Sequence, residues 1–197
     1  MKRDGFRIVL VSLIAAMISV GAVFSLPLPP PLLPVTLAVF FALLGGLLLG
    51  PVWGLAAAGL YLGLGAVGLP VFANGAGGAG QFAGPTGGFL VGYAAAAFVT
   101  GLIADRRSWR FGRAVAGTIA GVAALYAIGL PWFRAVLDAR PDRDVSMLAA
   151  FTIMLPYLVG DLVKAVVAAA LVKALRPLLQ NYLPAEAKKS WHGKSKA

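Results

Sequence analysis

The chain has no cysteine, a single histidine and very little charge, and each shortage removes a class of function. Without cysteine there can be no disulfide and no thiolate metal site. The one histidine, His192, stands in a polar stretch with Lys188, Lys189, Lys194 and Lys196, and reads as a solvated side chain rather than a ligand or a base. No zinc spacing, phosphate-binding Walker loop or Ser-His-Asp set can be assembled. At 197 residues the chain is too short to add a soluble nucleotide-hydrolysing domain to anything else it builds. No metal and no resident cofactor is expected.

The scarcity of charge decides the fold class. Only 12% of the residues are charged and 60% are apolar, where a soluble domain has about 25% and about 45–50%. From Ile8 to Ala104 there is no Asp, Glu, Lys or Arg. A spanning helix needs about 20 apolar residues, so this stretch holds about four spans. Membrane β-barrels show short alternating segments, whereas this chain shows long runs of Leu, Ala, Gly and Val. The expectation is an all-α integral membrane protein of about six transmembrane helices in a single membrane domain. The net charge of +10 sits beside hydrophobic runs and reads as membrane flanks, not as a nucleic-acid surface.

Helix 1 is expected at about 7–24, as a retained span: Lys2, Arg3 and Arg7 precede it, but Ser25-Leu26-Pro27-Leu28-Pro29 is not a small-residue cleavage site. The prolines between Leu26 and Pro34 forbid a helix, because proline lacks a backbone donor and has a fixed φ. Further helices are expected at about 35–49, 51–68, 86–104, 113–130 and 147–175, with Pro156 a candidate break in the last. A glycine-rich loop covers Leu69 to Pro85, a charged loop 132–146, and a basic tail 176–197.

An even number of spans puts both termini on one side. That side carries Lys2, Arg3, Arg7, Arg106, Arg107, Arg110, Arg113, Lys173, Arg176, Lys188, Lys189, Lys194 and Lys196, against Arg134, Arg140 and Arg143 on the other. By the positive-inside rule both termini are cytoplasmic, in the plasma (inner) membrane. The tail suits anionic lipid head groups.

Only Asp161 and Lys164 are ionisable within a span. Charges there are costly and mark function by default, and their i, i+3 spacing puts them on one helix face. Asp161 lies 15 residues before Arg176, roughly 22 Å up at about 1.5 Å per residue, hence in the outward half of a hydrocarbon layer about 30 Å thick. An internal ion pair that knits helices together would use the same two residues. In the glycine-rich loop, Asn74 and the aromatics Phe72, Phe82 and Phe89 fit an apolar-walled lid as well as a plain surface loop. Thr86, at the outward start of helix 4, offers a helix N-terminus suited to a carboxylate. Ser12 with Ala16, and Ala15 with Ser19, form small-xxx-small pairs on helix 1, suited to internal packing or to docking another membrane subunit. With one intramembrane carboxylate and no nucleophile beside a base, an enzyme is not expected.

Gly68-Leu69-Pro70-Val71-Phe72, Gly84-Pro85-Thr86-Gly87-Gly88-Phe89-Leu90-Val91-Gly92-Tyr93 and Pro156-Tyr157-Leu158-Val159-Gly160-Asp161-Leu162-Val163-Lys164-Ala165 resemble the signature of the BioY family. The likeness extends over nearly the whole chain, including Tyr61 of helix 3. It implies the biotin-specific S component of an energy-coupling factor (ECF) transporter, which captures biotin from outside and works with a membrane T component and two ATPase subunits. Some family members are proposed to transport alone, so a self-sufficient, oligomeric biotin transporter is the alternative. The motif assigns Asp161, Lys164 and Asn74 to biotin; Tyr61, Phe72 and Tyr93 are expected to flank its rings, and Thr86 to face its carboxylate. Two departures are visible. Family members have Thr-x-Gln at the start of helix 2, where this chain has Thr36-Leu37-Ala38, and helix 1 has no strict Ala-x-x-x-Ala pair.

Overall fold

The computed structural model describes residues 2–26, 33–104, 109–139 and 146–182. Six α-helices follow in order: α1 Lys2–Val23, α2 Ala38–Leu49, α3 Pro51–Ala66, α4 Gly87–Ala104, α5 Phe111–Asp138 and α6 Met147–Tyr182. Two short 3-10 turns, Ala73–Gly75 and Ala79–Ala83, lie between α3 and α4. Among the described residues there is no strand, only one antiparallel bridge between Leu26 and Val35. Of these helices, α4 and α5 are each long and apolar enough to cross a membrane. The 36 residues of α6 span about 54 Å at about 1.5 Å each.

The sequence locates every helix; the ends differ for local reasons. α2 starts at Ala38 rather than 35 because Val35 is held extended: Leu26 N–H donates to Val35 O at 2.9 Å and Val35 N–H to Leu26 O at 3.1 Å. α2 and α3 turn on Gly50, whose φ of 82° is strained for any residue with a Cβ, and Pro51 then opens α3 where a missing N–H costs nothing.

Residues 132–138 of the charged loop expected at 132–146 are helix. α5 runs through Pro131 to Asp138. Proline there removes one intrahelical bond but keeps a helical φ, which a helix among packed neighbours tolerates. The charges that gave the segment its loop-like composition include an i, i+4 ion pair along the last turns, Arg134 to Asp138 at 3.7 Å. Likewise α6 is unbroken at Pro156 and runs on to Tyr182, so the tail expected from 176 begins inside the helix. Arg106, Arg107, Arg140, Arg143, most of the proline-rich segment and residues 183–197 lie outside the described residues.

Small residues set the packing. A Cβ on Gly46 of α2 would overlap the Ala97 carbonyl of α4, and one on Gly92 of α4 would come within 2.6 Å of Leu125 of α5. Two apolar clusters result. Leu43, Leu47, Phe89, Ala96, Val122, Leu125, Phe133, Met154 and Val172 join α2, α4, α5 and α6. Ile14, Ala15, Ile18, Tyr61 and Phe72 join α1, α3 and the glycine-rich loop. Val159 and Val163 of α6 are more than half exposed, which suits lipid contact.

Helices alternate in direction, so both described termini lie at one end of the bundle. Cations meet aromatic rings there: Arg7 lies 5.5 Å from the Trp53 ring, Lys173 4.9 Å from Phe111 and Arg176 5.5 Å from Trp109. Ser25, Leu26 and Val35, the glycine-rich loop and Trp132 of α5 meet at the opposite end, through the Ser25–Asn74, Leu26–Val35 and Trp132–Gly84 contacts.

Candidate functional site

A cavity of about 310 Å³ opens beneath those segments, lined by all six helices, α1 through Ala22, by residues 33–36 and by the glycine-rich loop. It is of the size of a small-molecule pocket. Asp161, Lys164, Asn74, Tyr61, Phe72, Thr86 and Tyr93, the seven residues singled out in the sequence, all line it.

The polar end stands on α6. The i, i+3 spacing puts Lys164 Nζ 2.9 Å from Asp161 Oδ1, and the same ammonium donates to the Thr36 carbonyl at 2.7 Å. From α5 the Tyr126 hydroxyl donates to Asp161 Oδ2 at 2.9 Å. Asp161 is 9% exposed, so water is largely replaced by these donors. Each carboxylate oxygen accepts one bond, and a carboxylate has about four lone-pair sites. Lys164 uses two of its three donors among the described residues. The pair therefore keeps an acceptor site on each oxygen and one N–H donor for a ligand.

The apolar wall is a chain of rings. The centroids of Tyr61 and Phe72 lie 5.4 Å apart, Phe72 and Phe82 5.8 Å, and Tyr61 and Tyr93 6.3 Å. Phe72 reaches inward because Gly65 has no Cβ to block its ring. The Tyr93 hydroxyl lies 3.5 Å from Thr36 Oγ1. Thr86 immediately precedes α4, and its carbonyl accepts from Leu90 N–H at 3.0 Å. Asn74 has φ 58°, a left-handed conformation that asparagine tolerates better than most residues.

Sequence reasoning missed Tyr126, Tyr157 and Thr36. Tyr157 donates to the Leu33 carbonyl, fastening the entry to α2 onto α6. A signal existed: of the five tyrosines in the chain, Tyr61, Tyr93, Tyr126 and Tyr157 line the cavity. A buried phenol usually takes a polar partner, and the one intramembrane carboxylate is an obvious acceptor, although the buried Tyr61 hydroxyl has no hydrogen-bond partner among the described residues.

The helix 1 pairs are divided. Ser12 and Ala16 are exposed, while Ala15 is 1% exposed and Ser19 Oγ donates to the Ala15 carbonyl at 2.9 Å. Ala15 falls on the inward stripe Ile14, Ala15, Ile18, Ala22, with helical spacing. Among the described residues no three His, Cys, Asp or Glu side chains come together as a metal site.

A bundle of apolar helices enclosing a cavity with one buried ion pair defines a multi-pass membrane protein with a small-molecule site. The sequence model of the BioY family matches residues 2–181. The "Biotin transporter BioY" of Rhodobacter capsulatus is 40% identical over 176 residues, covering 86% of this chain and 92% of its own. That of Thermotoga maritima is 39% identical over 175 residues, covering 87% and 96%. The chain belongs to the BioY family, a family of transporters rather than enzymes. A crystal structure of the S component for biotin from an ECF-type ABC transporter superposes with a TM-score of 0.79 over 89% of this chain and 93% of that one, at 24% identity. The fold is therefore shared.

Proposed function

We propose that this protein is the biotin-binding S component of an ECF-type uptake transporter, taking biotin from the extracytoplasmic side. The observation that carries the reading is the complement of free groups on Asp161 and Lys164. Biotin's ureido ring has two N–H donors flanking one carbonyl. The two vacant acceptor sites on the Asp161 carboxylate suit the N–H groups, and the third Lys164 donor suits the carbonyl. Tyr61, Phe72 and Tyr93 provide apolar surface for the bicycle, and Thr86 stands at an α-helix N-terminus suited to the carboxylate. The relatives named as biotin transporters support the same ligand.

Both termini are placed in the cytoplasm and the cavity outward. The support is the bias of Lys and Arg toward the end of the bundle that carries Arg7, Lys173 and Arg176. The membrane is the plasma (inner) membrane, and the partners are a T component and two ATPase subunits. Two measurements test this. Purified protein in detergent binds labelled biotin, and cells take up biotin when the ATPases are co-expressed. No binding by folded protein overturns the ligand. Uptake undiminished without any ATPase overturns the S-component role in favour of a self-sufficient transporter.

A further inference from the structure

Four tyrosines line the cavity, and three of their hydroxyls have polar neighbours: Tyr126 donates to Asp161, Tyr157 donates to the Leu33 carbonyl, and Tyr93 lies 3.5 Å from Thr36 Oγ1. The fourth, the Tyr61 hydroxyl, is buried and makes no hydrogen bond to the described residues. Tyr61 is 0% exposed, so bulk water does not serve it. A buried hydroxyl without a partner works against the fold that holds it, yet the packing holds this one in place. Phe72 meets the Tyr61 ring edge-on at 5.4 Å and lodges against Gly65, one turn further along α3, where a Cβ would overlap the Phe72 ring. Tyr93 lies against the Tyr61 ring at 6.3 Å. Phe72 and Tyr93 line the cavity too, so a partner for the hydroxyl comes from that side.

Asp161 and Lys164 stand on a different wall. α3 packs on α1, α2 and α4, whereas α6 packs on α2 and α5. We infer that the Tyr61 hydroxyl is a hydrogen-bond donor to the carboxylate of the ligand whose ureido ring sits on Asp161 and Lys164. The inference rests on the reading of the cavity as the biotin site. In that reading Lys164 takes the ureido carbonyl, and the ureido N–H groups have nothing to accept a phenol proton. The remaining oxygens of biotin belong to its carboxylate, at the far end of a flexible chain, and its thioether sulfur is a weak acceptor. A hydrogen bond to a carboxylate is charge-assisted and about twice as strong as a neutral one. The hydroxyl thereby makes the site selective for an acid, because a ligand with a poorer acceptor at that end leaves a buried donor badly paired.

The test compares Tyr61→Phe with the parent, as purified full chains in detergent, for affinity toward biotin and biotin methyl ester. The ester keeps the ureido ring, the bicycle and the chain, and replaces the charged acceptor by a neutral one. Tyr61→Phe lowers biotin affinity about tenfold or more, and the penalty shrinks to about threefold or less for the ester. The melting temperature without ligand supplies a readout that a structural hydroxyl would move the other way. It stays level or rises in Tyr61→Phe, because the change deletes a buried unpaired polar atom and keeps the ring. Parental biotin affinity in Tyr61→Phe overturns the proposal. A penalty equal for the two ligands does so too, since the hydroxyl would then not meet the carboxylate. So does a loss of affinity accompanied by a lowered melting temperature, which makes the hydroxyl a part of the fold. A folded parent that binds neither ligand is a separate result: it removes the reading of the cavity as a biotin site, and this inference with it.

Discussion

Tyr126 and Asp161 lie 35 residues apart in sequence and are joined by a buried hydrogen bond of 2.9 Å, which ties α5 to the polar end of the cavity. The phenol leaves one acceptor site free on the oxygen it touches and holds the carboxylate against rotation. Tyr126→Phe removes that restraint and keeps the ring, which packs edge-on to Phe89 at 5.6 Å. A neutral hydrogen bond contributes about 0.5–1.5 kcal/mol and one to a charge about 1.5–3. Because the freed carboxylate can still accept ligand N–H groups, the lower range applies. Biotin affinity should fall about three- to tenfold, with the melting temperature nearly unchanged. Titration calorimetry in detergent measures it, and parental affinity would show that Tyr126 does not orient the carboxylate.

The pair itself should matter more. Asp161→Asn replaces an acceptor of two N–H groups by an amide with one acceptor oxygen, and should lower biotin affinity about ten- to a hundredfold. Lys164→Met also weakens binding, but it leaves Asp161 with an uncompensated charge and removes the bond to the Thr36 carbonyl, so it destabilises the fold as well. The double variant controls for this. If it is folded and binds biotin like the parent, the pair is structural and recognition lies elsewhere.

Much of this site was legible because its unusual residues are rare in an apolar chain. Asp161 and Lys164 stand out where charge is excluded, and Phe72 stands out among glycines. What was not legible came from partners distant in sequence. The Lys164 bond to the Thr36 carbonyl joins backbone to a side chain 128 residues away, and no pattern in the chain marks a carbonyl. The departure at the start of helix 2, Thr36-Leu37-Ala38, marked missing polarity, yet Thr36 serves through its backbone oxygen, which any residue carries. The same limit applied to helix ends. Pro131 and Pro156 signal breaks in isolation, but each sits in a helix whose packing outweighs one lost hydrogen bond.

Orientation is testable without ligand. A reporter fused after Ala197 should behave as cytoplasmic, given the bias of Lys and Arg toward that end. One inserted beside Ala139, at the end of α5, should behave as extracytoplasmic. Reversal of both reporters would place the cavity on the cytoplasmic side and rule out capture from outside.

The last prediction separates the partner surface from the core on α1. Ser12 and Ala16 face outward and Ala15 faces inward, so the two small-residue pairs have different consequences when enlarged. Ala15→Trp forces an indole into a space bordered by Ile14, Ile18 and Ala22 and shut off from lipid. Overpacking of a core costs about 1–3 kcal/mol, so this variant should lose thermal stability and biotin binding together. Ala16→Trp adds the same bulk on the exposed face. It should leave biotin affinity and melting temperature within error of the parent, because nothing in the cavity lies beyond it. If a T component packs on Ser12 and Ala16, close approach of the helices is blocked. Uptake energised by the ATPases should then fall about tenfold or more while binding persists, since one bulky side chain at a tight contact costs more than about 1.4 kcal/mol. Full uptake by Ala16→Trp would place the partner on another face of the bundle, and a parallel loss of binding would show that α1 contributes to the cavity from its outer side.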